Sequence, residues 1–66
     1  MRTNFGNICV GDMFHTDIAR WVKINDKEAI SVMSQVCSNG TIKKFENESQ
    51  IDLIWSCLIK FEQKID

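Results

Sequence analysis

His15 is the single histidine of the chain, and it stands between two aspartates, Asp12 and Asp17. One imidazole and two carboxylates can ligate a divalent ion. A stable site needs more ligands than a local trio offers, and metal binding is normally built from several elements of a fold. The trio reads more simply as a strand histidine beside turn aspartates, so no metal is expected. Cys9 and His15 form a nucleophile and a base on paper. Nothing in the sequence supplies a third group to orient the base or an oxyanion hole, and Cys9 is expected to be a buried, inert thiol. Gly6, Gly11 and Gly40 match neither the phosphate-loop nor the dinucleotide spacing and read as turn residues. No catalytic residue and no cofactor is expected, and the chain reads as a non-enzyme.

Binding chemistry has better candidates. In Arg20-Trp21-Val22-Lys23-Ile24, a strand places Val22 and Ile24 on one face and Trp21 and Lys23 on the other. With the β-branched pair filling the core, Trp21 faces outward beside Lys23. An exposed tryptophan next to a lysine suits a protein hot spot or a platform for a base. The expected binding set is Trp21 and Lys23, supported by Arg20, Phe14 and Lys43. The competing reading has Trp21 covering an open end of the core.

These residues need elements to hold them, and turn signals come at short intervals. Val10-Gly11-Asp12 is a turn, because Gly11 can take a positive φ. Residues 13–15 read as a short strand, residues 16–19 as a loop, and residues 20–24 as the next strand. Asn25-Asp26-Lys27-Glu28 is a polar turn before a β-branched run over residues 29–37. Asn39-Gly40 then predicts a tight hairpin of type I′, with residues 41–45 returning and residues 46–50 forming an acidic loop. The final segment, residues 51–61, fits two periods. Ile51, Leu53, Trp55, Cys57, Ile59 and Phe61 alternate as in a strand, whereas Ile51, Ile54, Trp55, Leu58 and Ile59 make a helical stripe. Ser49 and Asp52 resemble a helix-start capping box. The expected fold is mainly β: one domain over residues 1–66, a small SH3-like barrel of four to five short antiparallel strands, with the C-terminal segment strand or helix. A curled sheet of this kind hides the strand edges that would template aggregation.

The bulk numbers narrow the roles. A chain of 66 residues buries only about 60% of its unfolded surface and needs help from packing, cross-links or assembly. Its three cysteines, Cys9, Cys37 and Cys57, are an odd number without metal-ligand spacing and are expected to be free, buried thiols. The net charge is −1, and Lys43-Lys44 is the one adjacent basic pair, which counts against nucleic acid. No apolar run is long enough to span a bilayer. Met1-Arg2-Thr3-Asn4 is not an apolar leader, so a cytoplasmic location is expected.

Val10-Gly11-Asp12-Met13-Phe14, Trp21-Val22-Lys23-Ile24 and Ala29-Ile30, followed by a glycine and the closing Phe45, resemble a family of short barrel proteins encoded by tailed bacteriophages. The match runs over residues 5–45. It implies a small SH3-like barrel and a phage accessory gene acting in the host cytoplasm, and it implies no activity. The loop before Trp21 lacks the family's usual glycine, and the segment after Phe45 is longer and more apolar than the pattern.

The function expected first is a non-enzymatic accessory protein that binds and modulates or inhibits a host protein. The alternatives are an oligomer that sequesters a nucleotide-like ligand and a single-stranded nucleic-acid binder. Residues 51–61, apolar on both faces if extended, point to a homo-oligomer formed through that segment.

Overall fold

The computed structural model describes residues 1–34 and 38–56. They form six short strands: β1 (Arg2–Asn4), β2 (Met13–His15), β3 (Ala19–Lys23), β4 (Glu28–Ser34), β5 (Ile42–Lys44) and β6 (Gln50–Trp55). All lie in one antiparallel sheet in the order β1-β6-β2-β3-β4-β5. The mainly β architecture is the one expected from the alternating runs, with six strands instead of four to five. The additional strand is β1. Its residues Arg2, Thr3 and Asn4 have no apolar alternation of their own. They are extended because β6 offers a ladder, with Thr3 opposite Ile51 and the terminal ammonium of Met1 donating to the Leu53 carbonyl at 3.2 Å.

Strands β2 to β5 run as a meander, and β6 then returns to lie between β1 and β2. The chain must cross from one sheet edge to the interior between β5 and β6, and Phe45 stands at that crossing. Its ring stacks on Phe5 at 5.0 Å and meets Phe14 and Trp21 edge-on at 5.4 and 5.3 Å. Phe5 also meets Phe14 edge-on at 5.7 Å. These spacings lie in the favourable range for aromatic pairs. Ile8, Ala19, Ala29, Ile51 and Leu53 pack around the four rings. Backbone bonds fix the crossing beside a single 3-10 turn over Phe5–Asn7: Phe5 N–H donates to Ser49 O and Gly6 N–H to Asn47 O.

Residues 51–55 of the ambiguous C-terminal segment are strand. The helical stripe is lost because Ile51 and Leu53 both serve the core, which is a period of two. Residues 57–61 of that segment lie outside the described residues.

Two turns carry a glycine in the left-handed region, Gly11 at φ 96° and Gly40 at φ 86°. Asp12 N–H donates to Cys9 O, and Thr41 N–H to Ser38 O. In each turn the glycine is third and no other residue has a positive φ, which is the type II pattern. Gly11 behaves as expected. The type I′ hairpin at Asn39-Gly40 does not form, because Asn39 keeps a negative φ. The β4–β5 ladder starts instead at Ile30 opposite Ile42. Ser31, which is buried, organises the wider loop: its hydroxyl donates to Ser38 O at 2.8 Å and accepts from Thr41 N–H at 3.0 Å.

Phe5 is fully buried among the rings, whereas Ile42 is 54% exposed. Phe5→Ala is expected to lower unfolding stability by about 3–5 kcal/mol, and Ile42→Ala to change it by no more than about 0.5 kcal/mol. Urea titrations of the two variants check this.

Candidate functional site

The expected binding set does not assemble. Trp21 is 1% exposed and Phe14 is fully buried, so both are core residues. The Trp21 indole Nε1 donates to the Thr16 hydroxyl at 3.0 Å, which satisfies its one polar group in the interior. Lys23 is 4% exposed, while Val22 and Ile24 are only half-buried. The assignment of faces along β3 is therefore inverted relative to the sequence reading.

The cause is a preference for aromatic bulk over β-branched bulk, made affordable by a specific contact. Burying Trp21 removes the largest apolar surface available to this chain from water. Its neighbour two residues on must then point inward as well. The Lys23 ammonium donates to Phe5 O at 3.0 Å and to Ile8 O at 2.9 Å, and it lies 4.4 Å from the centre of the Phe5 ring. A lysine is buried only when its charge is met in this way. The two carbonyls belong to the 3-10 turn and its cap, so Lys23 ties that turn to the sheet.

Arg20 and Lys43 are exposed but stand apart. Arg20 is on the outer face opposite Met33. The Lys43 ammonium lies 5.9 Å from the Trp21 ring centre and 5.4 Å from that of Phe45, where it caps the aromatic cluster. A cleft of about 250 Å³ opens beside Lys43, lined also by Arg2, His15, Gln50 and Asp52. Asp52 lies 4.0 Å from Arg2 Nε and 3.8 Å from His15 Nε2. Both pairs are exposed, which makes them weak, and the acid offsets the cations that an anionic ligand would need.

The trio of His15, Asp12 and Asp17 is also dispersed. Asp12 is buried and accepts the Cys9 backbone N–H at 2.9 Å, while His15 is exposed and faces Asp52. Among the described residues no three of His, Cys, Asp or Glu gather. Cys9 is exposed, against the expectation of a buried thiol, because it opens the surface turn that ends at Asp12. Cys37 and Cys57 lie outside the described residues.

The inversion of β3 creates a surface that sequence reasoning missed. Directly paired residues of an antiparallel sheet share a face. Trp55 pairs with Met13, Met13 with Val22, Val22 with Ile30, and Ile30 with Ile42. The neighbouring row of Leu53, Phe14, Trp21 and Ser31 points into the core. The apolar row therefore lies on the outer face and crosses five strands, about 20 Å at ordinary strand spacing. Two bulges widen it. Ile54 and Trp55 together oppose Met13, and Val32 and Met33 together oppose Arg20. Ile54 and Trp55 are 43% and 41% exposed, and Met33 is 62% exposed. A charged row, Arg2-Asp52-His15-Arg20, runs along one side, and the Glu28–Lys44 cross-strand pair stands at the β4–β5 end of the apolar row. The usable signal was the second period of the strand runs: Met13, Val22, Ile30 and Ile42 are a second apolar set that the core does not need once Trp21 is inside.

Lys23→Met keeps the apolar stem and removes the donor. It should cost about 1–3 kcal/mol by taking the lysine donor from the Ile8 carbonyl and leaving Phe5 O with only the 3.4 Å bond from Ile8 N–H, read as a lower urea midpoint at constant slope. The two tryptophans report the faces independently. Trp55→Phe leaves Trp21 as the emitter, and its fluorescence should be blue-shifted and shielded from acrylamide. Trp21→Phe leaves Trp55, which should be quenched readily.

Compared with known proteins, the chain matches no family model, no curated protein and no solved structure.

Proposed function

We propose that the chain is a non-enzymatic binding module whose outer apolar row seats a partner protein. The observation that carries this reading is the row itself: contiguous, crossing five strands, flanked on one long side by the charged row Arg2-Asp52-His15-Arg20 and at its β4–β5 end by the Glu28–Lys44 pair. Scattered exposed apolar side chains are ordinary, but a continuous stripe inside a polar rim has the anatomy of a protein contact. Met33, Ile42, Ile54 and Trp55 supply its exposed apolar surface, and methionine and tryptophan are enriched in such contacts. The similarity to phage-encoded small barrels makes a host protein the partner of choice, with modulation or inhibition of that protein as the outcome.

The nucleic-acid reading loses its stacking groups, since Trp21 and Phe14 are inside the core. The acidic net charge weakens it further. The reading as a ligand-sequestering oligomer has two open clefts: one beside Lys43, where Asp17 and Asp52 balance Lys43 and Arg2, and one of about 420 Å³ beside Arg20, where Asp17 balances the single cation.

The tagged protein is expected to retain a defined host protein from lysate. Met33→Glu together with Ile54→Glu should abolish that retention while the far-ultraviolet spectrum and urea midpoint stay close to wild type. Retention of nucleic acid or metabolites alone, or equal retention by the double variant, overturns the proposal.

A further inference from the structure

The sheet has two edges, and their free backbone groups can be read from the ladder. On β5, Ser31 N–H donates to Thr41 O and Phe45 N–H donates to Lys27 O, and Lys43 stands opposite Ala29 between them. Residues 41, 43 and 45 therefore turn their backbone groups toward β4. Ile42 and Lys44 turn theirs the other way, where no hydrogen bond meets them among the described residues. On β1 the alternation places Arg2 and Asn4 outward, since Leu53 N–H donates to Met1 O and Phe5 N–H to Ser49 O.

An open edge is a template for another strand, and lysines on it discourage pairing with like edges. Edge-to-edge pairing of two copies through β5 would bring Lys43-Lys44 of one chain against Lys43-Lys44 of the other. Like charges facing each other across a ladder are destabilising. Lys27, Lys43 and Lys44 surround this edge, against Glu28 and Glu46. Glu28 is already engaged, accepting from the Asn25 side-chain amide at 2.9 Å and standing opposite Lys44. The local balance is cationic within a chain of net charge −1.

We propose that the β5 edge takes an extended acidic segment of a partner protein as an added strand, with its backbone paired to Ile42 and Lys44. Side-chain alternation defines the motif. Ile42 and Lys44 share the outer face, and Lys43 faces the aromatic cluster and the cleft toward Arg2. The incoming strand places one carboxylate opposite Lys44, the next opposite Lys43, and an apolar side chain opposite Ile42. The recognised pattern is two adjacent acids followed or preceded by an apolar residue. The site shares Ile42 with the end of the outer apolar row and Lys44 with its rim, but it is read through edge backbone groups and lysine charge and needs neither Met33 nor Ile54.

The probe is a short labelled peptide with two adjacent glutamates flanked by valines, titrated by fluorescence anisotropy. Binding should weaken as salt rises and fall at least about tenfold when the glutamates are replaced by lysines. Amide hydrogen exchange at Ile42 and Lys44 should slow in the complex. Ile42→Pro keeps both lysines and breaks no ladder bond, as proline on a strand edge permits; it removes the outward N–H and should abolish binding, whereas Ile42→Val, which keeps the N–H and an apolar side chain, should retain it. Met33→Glu, on the outer row, should leave peptide binding unchanged even where it abolishes host-protein capture. The proposal is overturned by absence of binding, by equal affinity for the lysine peptide, or by unchanged exchange at Ile42 and Lys44. The exchange measurement uses the wild-type chain and decides the matter if the proline variant does not fold.

Discussion

Phe45 touches each of the other three core rings, and it does so from the segment that carries the chain from the edge strand β5 to the interior strand β6. A 66-residue chain has little apolar material to spare. Four aromatic side chains meeting at one point concentrate what there is. Everything else in the sheet is arranged so that they can meet: the 3-10 turn presents Phe5, β2 presents Phe14, and β3 presents Trp21.

That arrangement dictates the placement of Lys23. With Trp21 inward, the alternation of β3 forces Lys23 inward too, and the fold accepts it because two carbonyls and a ring face are within reach of the ammonium. The buried cation is a consequence of the aromatic core and also a fastener for it, since the carbonyls it holds belong to the turn that carries Phe5. The same alternation sends Val22 outward, and through the register it aligns with Met13 and Ile30. The core and the candidate binding face are therefore two results of one choice of phase.

The strand runs and the turn at Gly11 were legible in the sequence, because alternation and glycine placement are local properties. Which face of β3 goes inside was not. Val22-Ile24 and Trp21-Lys23 alternate equally well, and the deciding terms are contacts with Phe5, Ile8 and Phe45, which come from distant parts of the chain. The strand character of residues 2–4 was invisible for a related reason, since it is conferred by pairing with residues 50–52. Asn39-Gly40 was misread because the hydroxyl of Ser31 holds a wider loop, and no dipeptide preference encodes that. Of the expected binding residues, Arg20 and Lys43 are at the surface, while Trp21, Lys23 and Phe14 are buried.

The position of β6 has a consequence for how the molecule is made. Among the described residues it is the last strand in chain order, yet it joins β1 to β2, and the backbone pairing of Arg2 with Asp52 spans most of the chain. The meander from β2 to β5 consists of neighbours in sequence and can form early. The N-terminal strand has no partner until β6 arrives. Closing such a wide loop carries an entropic cost that local contacts do not share, and folds dominated by distant pairings acquire structure slowly. All four rings of the aromatic cluster precede β6 in the chain, so the distant pairing that closes the sheet is the step that carries this entropic cost, and the Phe5–Ser49 backbone bond links it to the turn that presents Phe5.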